Sequence, residues 1–490
     1  MANSLVILKV LTRIWRKTRK SGYINNTTTF QEALTSSAKY LMYPSNLSGF
    51  HNTETTLRRS MSGRNVFCHT GHLNLPERER LCSCGCRMHL NSSRNIYIRH
   101  LSIGEHLTCL EFPHHQLRCP SCGATKSQNI PFKAQGHMIT EPLHTYTRDL
   151  LAKGTYTNKQ VAEITGLGEN VVKDIDKKRL QELYTTDGGT KLIKPEKQAR
   201  FLGIDEFKLH NGHRYATHII DLETGHILWI QNGKKKQVVY DFIDHVGMDW
   251  MDGIEAVACD MNSDFEEAFE EKCPWIQVVF DYFHIVKNFN DKVVSEVRKD
   301  EQRRLYEEGN IEAAKALKKT RYILTSNRST LQKKDKDADE DRIIHKGSSL
   351  FKTEDIKRQR GYEAKYNELL KQNELLFTLD LVKEKVLQAY KMTDETKMAI
   401  EIGNIMEICQ ATNNEHFIWF SQLLNNHFEG IIAHATYKIS SGKIEGINQK
   451  IKTIRRHGYG YPDDEYFFLK VIDASRKKYI RNQRSHKIND

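Results

Sequence analysis

The sequence contains no apolar run long enough to cross a membrane. The longest run near its start, LVILKVL at 5–11, is interrupted by a lysine and is far shorter than the roughly 20 residues that a transmembrane helix needs. No secretory signal pattern is present, and acids are missing before Glu32. We find no internal repeat. These absences disfavour a membrane protein and a disulfide framework, and they predict a cytoplasmic protein.

The charge balance favours a polyanionic partner. The 490 residues include 74 Lys and Arg against 62 Asp and Glu, a net charge of +12. Such an excess suits nucleic acid or an anionic membrane surface, and nucleic acid is preferred because no apolar segment accompanies the charge. A chain of this length is expected to divide into about two to four domains.

Cysteines are concentrated in one short region. Seven of the ten lie between Cys68 and Cys122, in LCSCGC at 81–86 and RCPSCG at 118–123, with strand-like stretches between the two motifs. Two thiolates spaced as in CPSC can bind one Zn²⁺, which completes its tetrahedral shell with two more ligands. The pattern therefore predicts a zinc ribbon. The favoured ligands are Cys119 and Cys122 together with Cys82 and either Cys84 or, preferably, Cys86. Cys109 and His89 are further candidates.

A helical pattern follows the cysteine region. In YTNKQVAEITGLGENVVKDIDKKRLQELY, a short amphipathic segment precedes a glycine-containing turn at 166–168 and a second, basic helix. This arrangement is typical of a helix-turn-helix, although an ordinary helical hairpin has the same pattern. The basic residues predicted to contact DNA phosphates are Lys173, Lys177, Lys178 and Arg179.

From residue 201 the pattern becomes strand-like. Three strands, FLGIDEF first among them, precede an alternation of helices and strands, which predicts a mixed α/β sheet covered by helices. A charged helical segment then interrupts the sheet, with a polar run at 333–342 that we expect to be a loop. The predicted domains are a loosely ordered basic region at 1–65, the zinc ribbon at 66–135, the helix-turn-helix at 136–195, the first part of the catalytic core at 196–300, the helical insertion at 301–435, and the rest of the core with a basic tail at 436–490.

Three acids stand out by their positions. Asp205 is placed at the end of the first strand, Asp260 ends IEAVACD, and Glu445 lies in the helix after the insertion. Strand-end acids are often merely solvated, but these three would converge if the two strands were neighbours and the helix crossed their edge. Carboxylates repel one another, and divalent ions stabilise such a cluster. We therefore predict that Asp205, Asp260 and Glu445 are catalytic and bind Mg²⁺ or Mn²⁺ for phosphodiester chemistry, with Glu206 and Asp264 as second choices.

The helix that carries Glu445 is otherwise basic. This distribution would place DNA phosphates beside the metal ions, and we expect Gly446 to allow a close backbone approach. An ordinary solvated charged helix is the alternative. The residues of this helix predicted to bind DNA are Lys450, Lys452, Arg455 and Arg456.

Four motifs resemble a known family. LGIDEF at 202–207, ACDM at 258–261, FDYFHIVK at 280–287 and KIEGINQKIKTIRRHGYGY at 443–461 are similar to those of the DDE-class insertion-sequence transposases of the ISL3 family. The resemblance implies an RNase H-like catalytic domain with a helical insertion, which cuts and joins DNA at terminal inverted repeats. It implies the same three catalytic acids. It also gives Asp281 and His284 a role in orienting DNA or the metal shell, and the alternative for His284 is packing in the hydrophobic core.

The resemblance has further implications and one exception. Two element ends must be held together, so a homo-oligomer on DNA is expected. The first cysteine motif departs from the CPxCG type of the family, because its cysteines alternate at every second position. Two different functions compete with this interpretation: a DNA-binding regulator without catalysis, and an RNase H-like nuclease or resolvase that gives no strand-transfer product.

Overall fold

The computed structural model describes residues 47–477, apart from 61–62, 187, 190, 211, 262, 319, 340–360, 441 and 459. The chain forms two compact units, at 1–183 and 184–490. The predicted zinc ribbon lies in the first unit and the three predicted catalytic acids lie in the second. The basic tail beyond residue 477 and the first 46 residues lie outside the described part.

The first unit begins with a five-stranded sheet. Its strands are β1 (Phe50–Arg59), β2 (Asn65–Leu73), β3 (His89–Ile103), β4 (His106–Arg118) and β5 (Thr125–Ser127). The order is β1-β2-β4-β3, with β5 also paired to β4, and only β2 and β4 run parallel. The prediction of a loosely ordered region up to residue 65 was wrong for β1, because pairing with β2 orders a polar segment that shows no apolar alternation.

Three helices follow, α1 (Glu141–Lys153), α2 (Asn158–Thr165) and α3 (Glu169–Tyr184). Thr157 caps α2 in a reciprocal capping box with Gln160. Gly166 ends α2 with φ +67°, a conformation that favours glycine, and so sets the turn into α3. Val161 and Val172 on either side of this turn are fully buried in one small core.

The second unit contains the mixed sheet that the sequence predicts. After a short hairpin of β6 (Thr185–Thr186) and β7 (Lys191–Leu192), its strands are β8 (Phe201–Lys208), β9 (Tyr215–Asp221), β10 (Ile227–Asn232), β11 (Ala256–Ala258) and β12 (Gln277–Val279). The order is β10-β9-β8-β11-β12. The first three strands are antiparallel, whereas β8, β11 and β12 are parallel.

Helices cover both faces of this sheet. Those before the insertion are α4 (Lys236–Val246), α5 (Met248–Met251), α6 (Ser263–Lys272) and α7 (Tyr282–Asn288), and a π-helical turn (Phe289–Val294) continues α7. The insertion contains α8 (Ser295–Glu307), α9 (Ile311–Leu317), α10 (Arg321–Leu324), α11 (Arg328–Asp339), α12 (Tyr362–Gln372), α13 (Glu374–Ala389), α14 (Glu395–Ala411), α15 (Glu415–Asn426), α16 (Phe428–Ile432) and α17 (His434–Tyr437). The last two helices are α18 (Gly442–His457) and α19 (Asp464–Arg476). No helix in the described ranges combines the length and apolarity that a membrane span requires.

The polar run at 333–342 does not form the predicted loop up to residue 339, because α11 continues through it. Asp335 accepts hydrogen bonds from the backbone N–H groups of Tyr362 and Glu363 and so caps the start of α12. Further along the insertion, buried Asp380 accepts from Arg328, and Lys383 donates to the carbonyl oxygens of Leu324 and Ser326. These charged residues are therefore part of the packing of the insertion.

Residues of β8 alternate between two cores. Leu202 and Ile204 face the core shared with α4, α6 and the insertion, whereas Phe201 and Phe207 face the core formed with α18 and α19. Gly203 lies on the second face, where a Cβ atom would come within 2.9 Å of Ile444 on α18. The start of α18 therefore approaches β8 as closely as it does because residue 203 has no side chain.

We predict that Gly203→Ala lowers the free energy of unfolding by about 1–3 kcal/mol, because the new methyl group overpacks the contact with Ile444. Denaturant unfolding of the full chain would measure the change. A second substitution, Ile444→Ala, should recover part of the loss in a double-mutant cycle.

Gly446→Ala provides the matched control. A Cβ atom at Gly446 meets nothing within 4 Å, so this change should be neutral or stabilise the helix by about 0.5–1 kcal/mol. No described segment of the protein itself approaches Gly446, so the predicted close approach of a DNA backbone at this position stays a prediction. Equal destabilisation by the two alanines would contradict the role given to Gly203.

Candidate functional site

Pairing of the parallel strands puts two of the three predicted acids on neighbouring parts of the sheet edge. Gly203 on β8 pairs with Ala258 on β11, so Asp205 and Asp260, each two positions further on, lie on adjacent chain segments. Asp205 does not end its strand, as the sequence suggested, because the antiparallel pairing with β9 carries β8 on to Lys208. β11 stops at Ala258, and Asp260 lies in the segment that follows.

Each aspartate is oriented by defined donors. Asp205 accepts a hydrogen bond from the backbone N–H of Glu206 at 2.8 Å and another from Nδ2 of Asn448 at 2.6 Å. Asp260 accepts from the backbone N–H of Met261 at 2.8 Å, and Nδ1 of His284 lies 3.1 Å from its Oδ1. Both carboxylates are therefore held in place by neighbouring groups.

The charges of the site are coupled. Burial disfavours the charged form of Asp260, but the hydrogen bond and charge of His284 outweigh it and lower the pKa of this carboxyl. Burial would lower the pKa of His284, yet Asp260, with smaller contributions from Asp205 and Asp281, raises it. His284 thus contacts a predicted catalytic acid, and Asp281 is buried at the residue before α7.

Glu206 experiences the same cluster of charge. Its pKa is raised, chiefly by burial and then by the negative charges of Asp205, Asp260 and Asp264, although Lys234 opposes this shift. Its Oε2 atom is buried and has no hydrogen-bond partner among the described residues. The site therefore concentrates negative charge for which the surrounding side chains do not fully compensate.

Glu445 is placed by the helix that packs on Gly203. It is exposed in the first turn of α18, one turn before Asn448, the residue that contacts Asp205. In the described part of the chain, two groups of three or more potential ligands have all their ligand atoms within 4.8 Å of one another, and the three acids are not among them. Asp205 and Asp260 are instead turned towards Asn448 and His284.

A buried histidine fixes the orientation of Asn448. His218 lies opposite Asp205 across the β8–β9 pairing and is fully buried, which lowers its pKa and keeps the ring neutral. Its Nε2 is 2.9 Å from Oδ1 of Asn448. Because the amide oxygen accepts from His218, the amide nitrogen faces Asp205 and donates to it.

The basic residues of α18 are divided between two sides of the helix. Lys452 and Arg456 are exposed and follow Glu445 at i+7 and i+11, on the same face of the helix. Arg455 donates to the backbone carbonyl of Lys208. Lys450 is half-buried and donates to the carbonyl of Ala474, so a contact with DNA, which stays a prediction, would have to replace or share this hydrogen bond.

The predicted DNA contacts on α3 also differ in exposure. Arg179 is buried and donates through Nε and Nη2 to Oδ1 of Asp176, at 2.9 and 2.8 Å. The prediction that Arg179 contacts phosphate was therefore wrong. Lys178 is exposed and pairs with Asp174, whereas Lys173 and Lys177 are half-buried.

Four cysteines of the first unit form a compact cluster, with all sulfur atoms within 4.8 Å of one another: Cys82, Cys84, Cys119 and Cys122. The backbone N–H of Cys84 lowers the pKa of the Cys82 thiol to about 6, and that of Cys122 lowers the pKa of Cys119. The thiolate is favoured at these two positions, whereas hydrogen bonds from neighbouring sulfur atoms outweigh the backbone N–H groups of Cys86 and Ala124 and raise the pKa of Cys84 to about 12 and that of Cys122. Four sulfur donors suit the tetrahedral coordination of Zn²⁺.

The cluster includes Cys84, so the preferred sequence-based choice of Cys86 was wrong. The turn at 82–86 explains the difference, because the backbone N–H of Cys82 donates to the carbonyl of Cys86 and Gly85 adopts φ +83°. Cys86 then packs beside Met88 and Leu117. His89 and Cys109, which the sequence also offered as zinc ligands, lie outside the cluster as well.

Sequence reasoning missed His218 as a functional residue and gave Asn448 no specific contact. The signal for Asn448 was its position three residues after Glu445, which places both on one helix face. The signal for His218 was a single histidine in the strand YATHIID, which alternates little and is almost entirely buried. Neither signal identifies the partner, because the contact joins residues that are 230 positions apart.

Comparisons with known proteins identify the family of the chain. A family model described as a transposase, of the DDE type and named for ISL3, matches residues 202–471, more than half of the chain. The transposase for insertion sequence element IS1001 of Bordetella parapertussis is 27% identical over 394 residues, 80% of this chain and 87% of that protein. The transposase for IS1557 of Mycobacterium tuberculosis is 25% identical over 266 residues, 54% of this chain and 57% of that protein. The chain therefore belongs to the ISL3 family of DDE transposases.

Proposed function

We propose that this transposase cleaves DNA at the terminal inverted repeats of its element and joins the freed ends to target DNA. Asp205, Asp260 and Glu445 would be the catalytic acids. The observation that carries the proposal is the register of β8 and β11, which puts Asp205 and Asp260 on adjacent chain segments, together with the contact of α18 with Asp205 through Asn448. The sheet order β10-β9-β8-β11-β12, antiparallel and then parallel, supports an RNase H-like core.

The donor set fits hard divalent cations. Carboxylate oxygens are the ligands that Mg²⁺ and Mn²⁺ prefer. Burial chiefly raises the pKa of Glu206, and the smaller contributions of Asp205, Asp260 and Asp264 come from negative charge that such ions would neutralise. Ions bound there would supply Lewis acidity at the scissile phosphate and stabilise the attacking and leaving oxygens. Asp205 and Asp260 would hold them, and Glu445 would complete the site.

The remaining residues of the site position the reacting groups. His284 fixes the carboxylate of Asp260, and Asn448, oriented by His218, fixes that of Asp205. Lys452 and Arg456 share the face of Glu445 and would bind flanking phosphates. In cleavage, water attacks phosphorus and the 3′-oxygen of the cut strand departs. In joining, that 3′-hydroxyl attacks a target phosphodiester and displaces its 3′-oxygen.

We assign recognition of the element ends to the first unit. Cys82, Cys84, Cys119 and Cys122 would bind Zn²⁺, and α2 and α3 would act as a helix-turn-helix. Exposed Lys178 remains a candidate phosphate contact on α3, with Lys173 and Lys177. We further propose that the chain acts as a homo-oligomer on DNA, because strand transfer requires both element ends in one complex.

The catalytic assignment predicts that Asp205→Asn, Asp260→Asn or Glu445→Gln abolishes Mg²⁺-dependent nicking and strand transfer. Each change removes one anionic ligand while keeping the size of the side chain. His284→Ala should lower both activities by about 10- to 100-fold, because His284 only orients a ligand. Each of the three acid substitutions should cause a larger loss. Gel assays with a duplex from the end of the element would measure both products.

Glu465→Gln is a suitable control, because Glu465 is an exposed acid in the first turn of α19. Equal products from the wild type and Asp260→Asn would rule out the assigned acids and favour a DNA-binding regulator. Nicking without any joined product would instead favour a nuclease or resolvase.

The zinc assignment predicts different outcomes for two neighbouring cysteines. Cys84→Ser should lower the bound zinc measured by inductively coupled plasma mass spectrometry and reduce the thermal stability of the first unit, because a structural zinc ion contributes directly to folding. Cys86→Ser should retain one zinc per chain. Retention of zinc by Cys84→Ser, with loss in Cys86→Ser, would reverse the assignment.

A further inference from the structure

A cavity lies beside the candidate active site, where the catalytic core meets the insertion. It has a volume of about 510 Å³ and is lined by residues of α7, the π-helical turn and α10. Phe283 on its wall immediately precedes His284, the residue that contacts Asp260. The positive charge of Lys287, also on the wall, contributes to lowering the pKa of Asp260. The cavity is therefore close to the acids.

Two aromatic rings on the wall are largely exposed. Phe283 is 46% exposed and Tyr322, from the insertion, is 47% exposed. Most described aromatic side chains of this unit are buried or half-buried, and exposed rings that share a cavity offer flat apolar surfaces to a ligand. Nucleic-acid bases stack on such rings without regard to base identity.

Asn290 adds a polar group that lacks a partner. Its Oδ1 atom is buried and accepts no hydrogen bond within the described part of the protein, although the residue lines the cavity. A buried acceptor without a donor is costly unless a ligand supplies one. Asn290 also lies in the π-helical turn, a local distortion that is frequent at functional sites.

The cations on the wall suit a phosphate-bearing ligand. Arg321 pairs with Asp291 at 2.7 Å, so these two charges largely compensate one another. Lys287 is exposed, and no carboxylate in the described residues lies within ion-pairing distance of it. The cavity thus combines stacking surfaces, one hydrogen-bond acceptor and a net positive charge.

We propose that this cavity binds an unpaired nucleotide of the DNA strand being processed, with its base against Phe283 and Tyr322 and a base N–H donating to Asn290. The proposal rests on the function proposed above, since it assigns the cavity to DNA held at the same acids. It also gives the insertion a role: Tyr322 and Arg321 close one wall of a site whose other wall belongs to the core.

The test is the binding of a defined DNA probe by the full-length protein in EDTA. The probe is a duplex with a short 3′ overhang that carries one 2-aminopurine, and the comparison is the same duplex with a blunt end. The wild type should bind the overhang more tightly and change the 2-aminopurine emission. Phe283→Ala and Tyr322→Ala should each weaken the overhang preference by about 5- to 100-fold, as expected for the loss of one stacked base.

Asn290→Ala should weaken the overhang preference without removing either ring. Phe377→Ala is the matched control, because Phe377 is a 54% exposed phenylalanine on α13 that does not line the cavity. It should leave overhang binding and emission unchanged, and blunt-end affinity should be the same in all variants. Unchanged overhang binding in both Phe283→Ala and Tyr322→Ala would overturn the proposal, as would equal wild-type binding of the two probes.

Asp260→Asn separates this inference from the proposed function. It should lose Mg²⁺-dependent nicking and retain the overhang preference and the emission change. If the wild type shows the ring-dependent preference but never cleaves element ends, the cavity assignment stands and the catalytic proposal fails. If cleavage depends on Asp260 while both ring variants bind as the wild type does, the catalytic proposal stands and the cavity assignment fails.

Discussion

The contact between α18 and β8 determines the geometry of the candidate active site. Gly203 allows Ile444 to pack directly against the strand, and one turn further along the helix Asn448 donates to Asp205. Apolar packing sets the depth of the helix, and the amide hydrogen bond sets its rotation about its axis. Glu445 lies between these two contacts, so its position relative to the aspartates follows from them.

The electrostatics of the site fit the proposed binding of divalent cations. His284 compensates Asp260, and Asn448 donates to Asp205 without adding charge, which leaves the carboxylates near Glu206 only partly neutralised. The acids are consequently held by separate partners on separate elements. Binding of divalent ions would relieve the repulsion between them, as expected for carboxylates that share a metal.

The sequence predicted the elements of the site better than their contacts. The sequence predicted the apolar strands before Asp205 and Asp260 and the basic helix around Glu445, because strand and helix periodicities are local properties. Side-chain direction is set by tertiary contacts, and here the predictions failed. Cys84 rather than Cys86 joins the sulfur cluster because of the tight turn at 82–86, and Arg179 is engaged by Asp176. Strand β1 was not predicted, because its residues do not alternate between apolar and polar and it is ordered by pairing with β2.

The long insertion has a consequence for synthesis of the protein. Asp205 and Asp260 emerge from the ribosome well before Glu445, because the whole helical segment at 301–435 is made between them. A chain that stops within the insertion therefore carries the first two acids, lacks Glu445, and leaves one face of the sheet without the apolar residues of α18 and α19 that cover it. If the three acids act together as proposed, the catalytic centre can form only after the whole insertion has been synthesised.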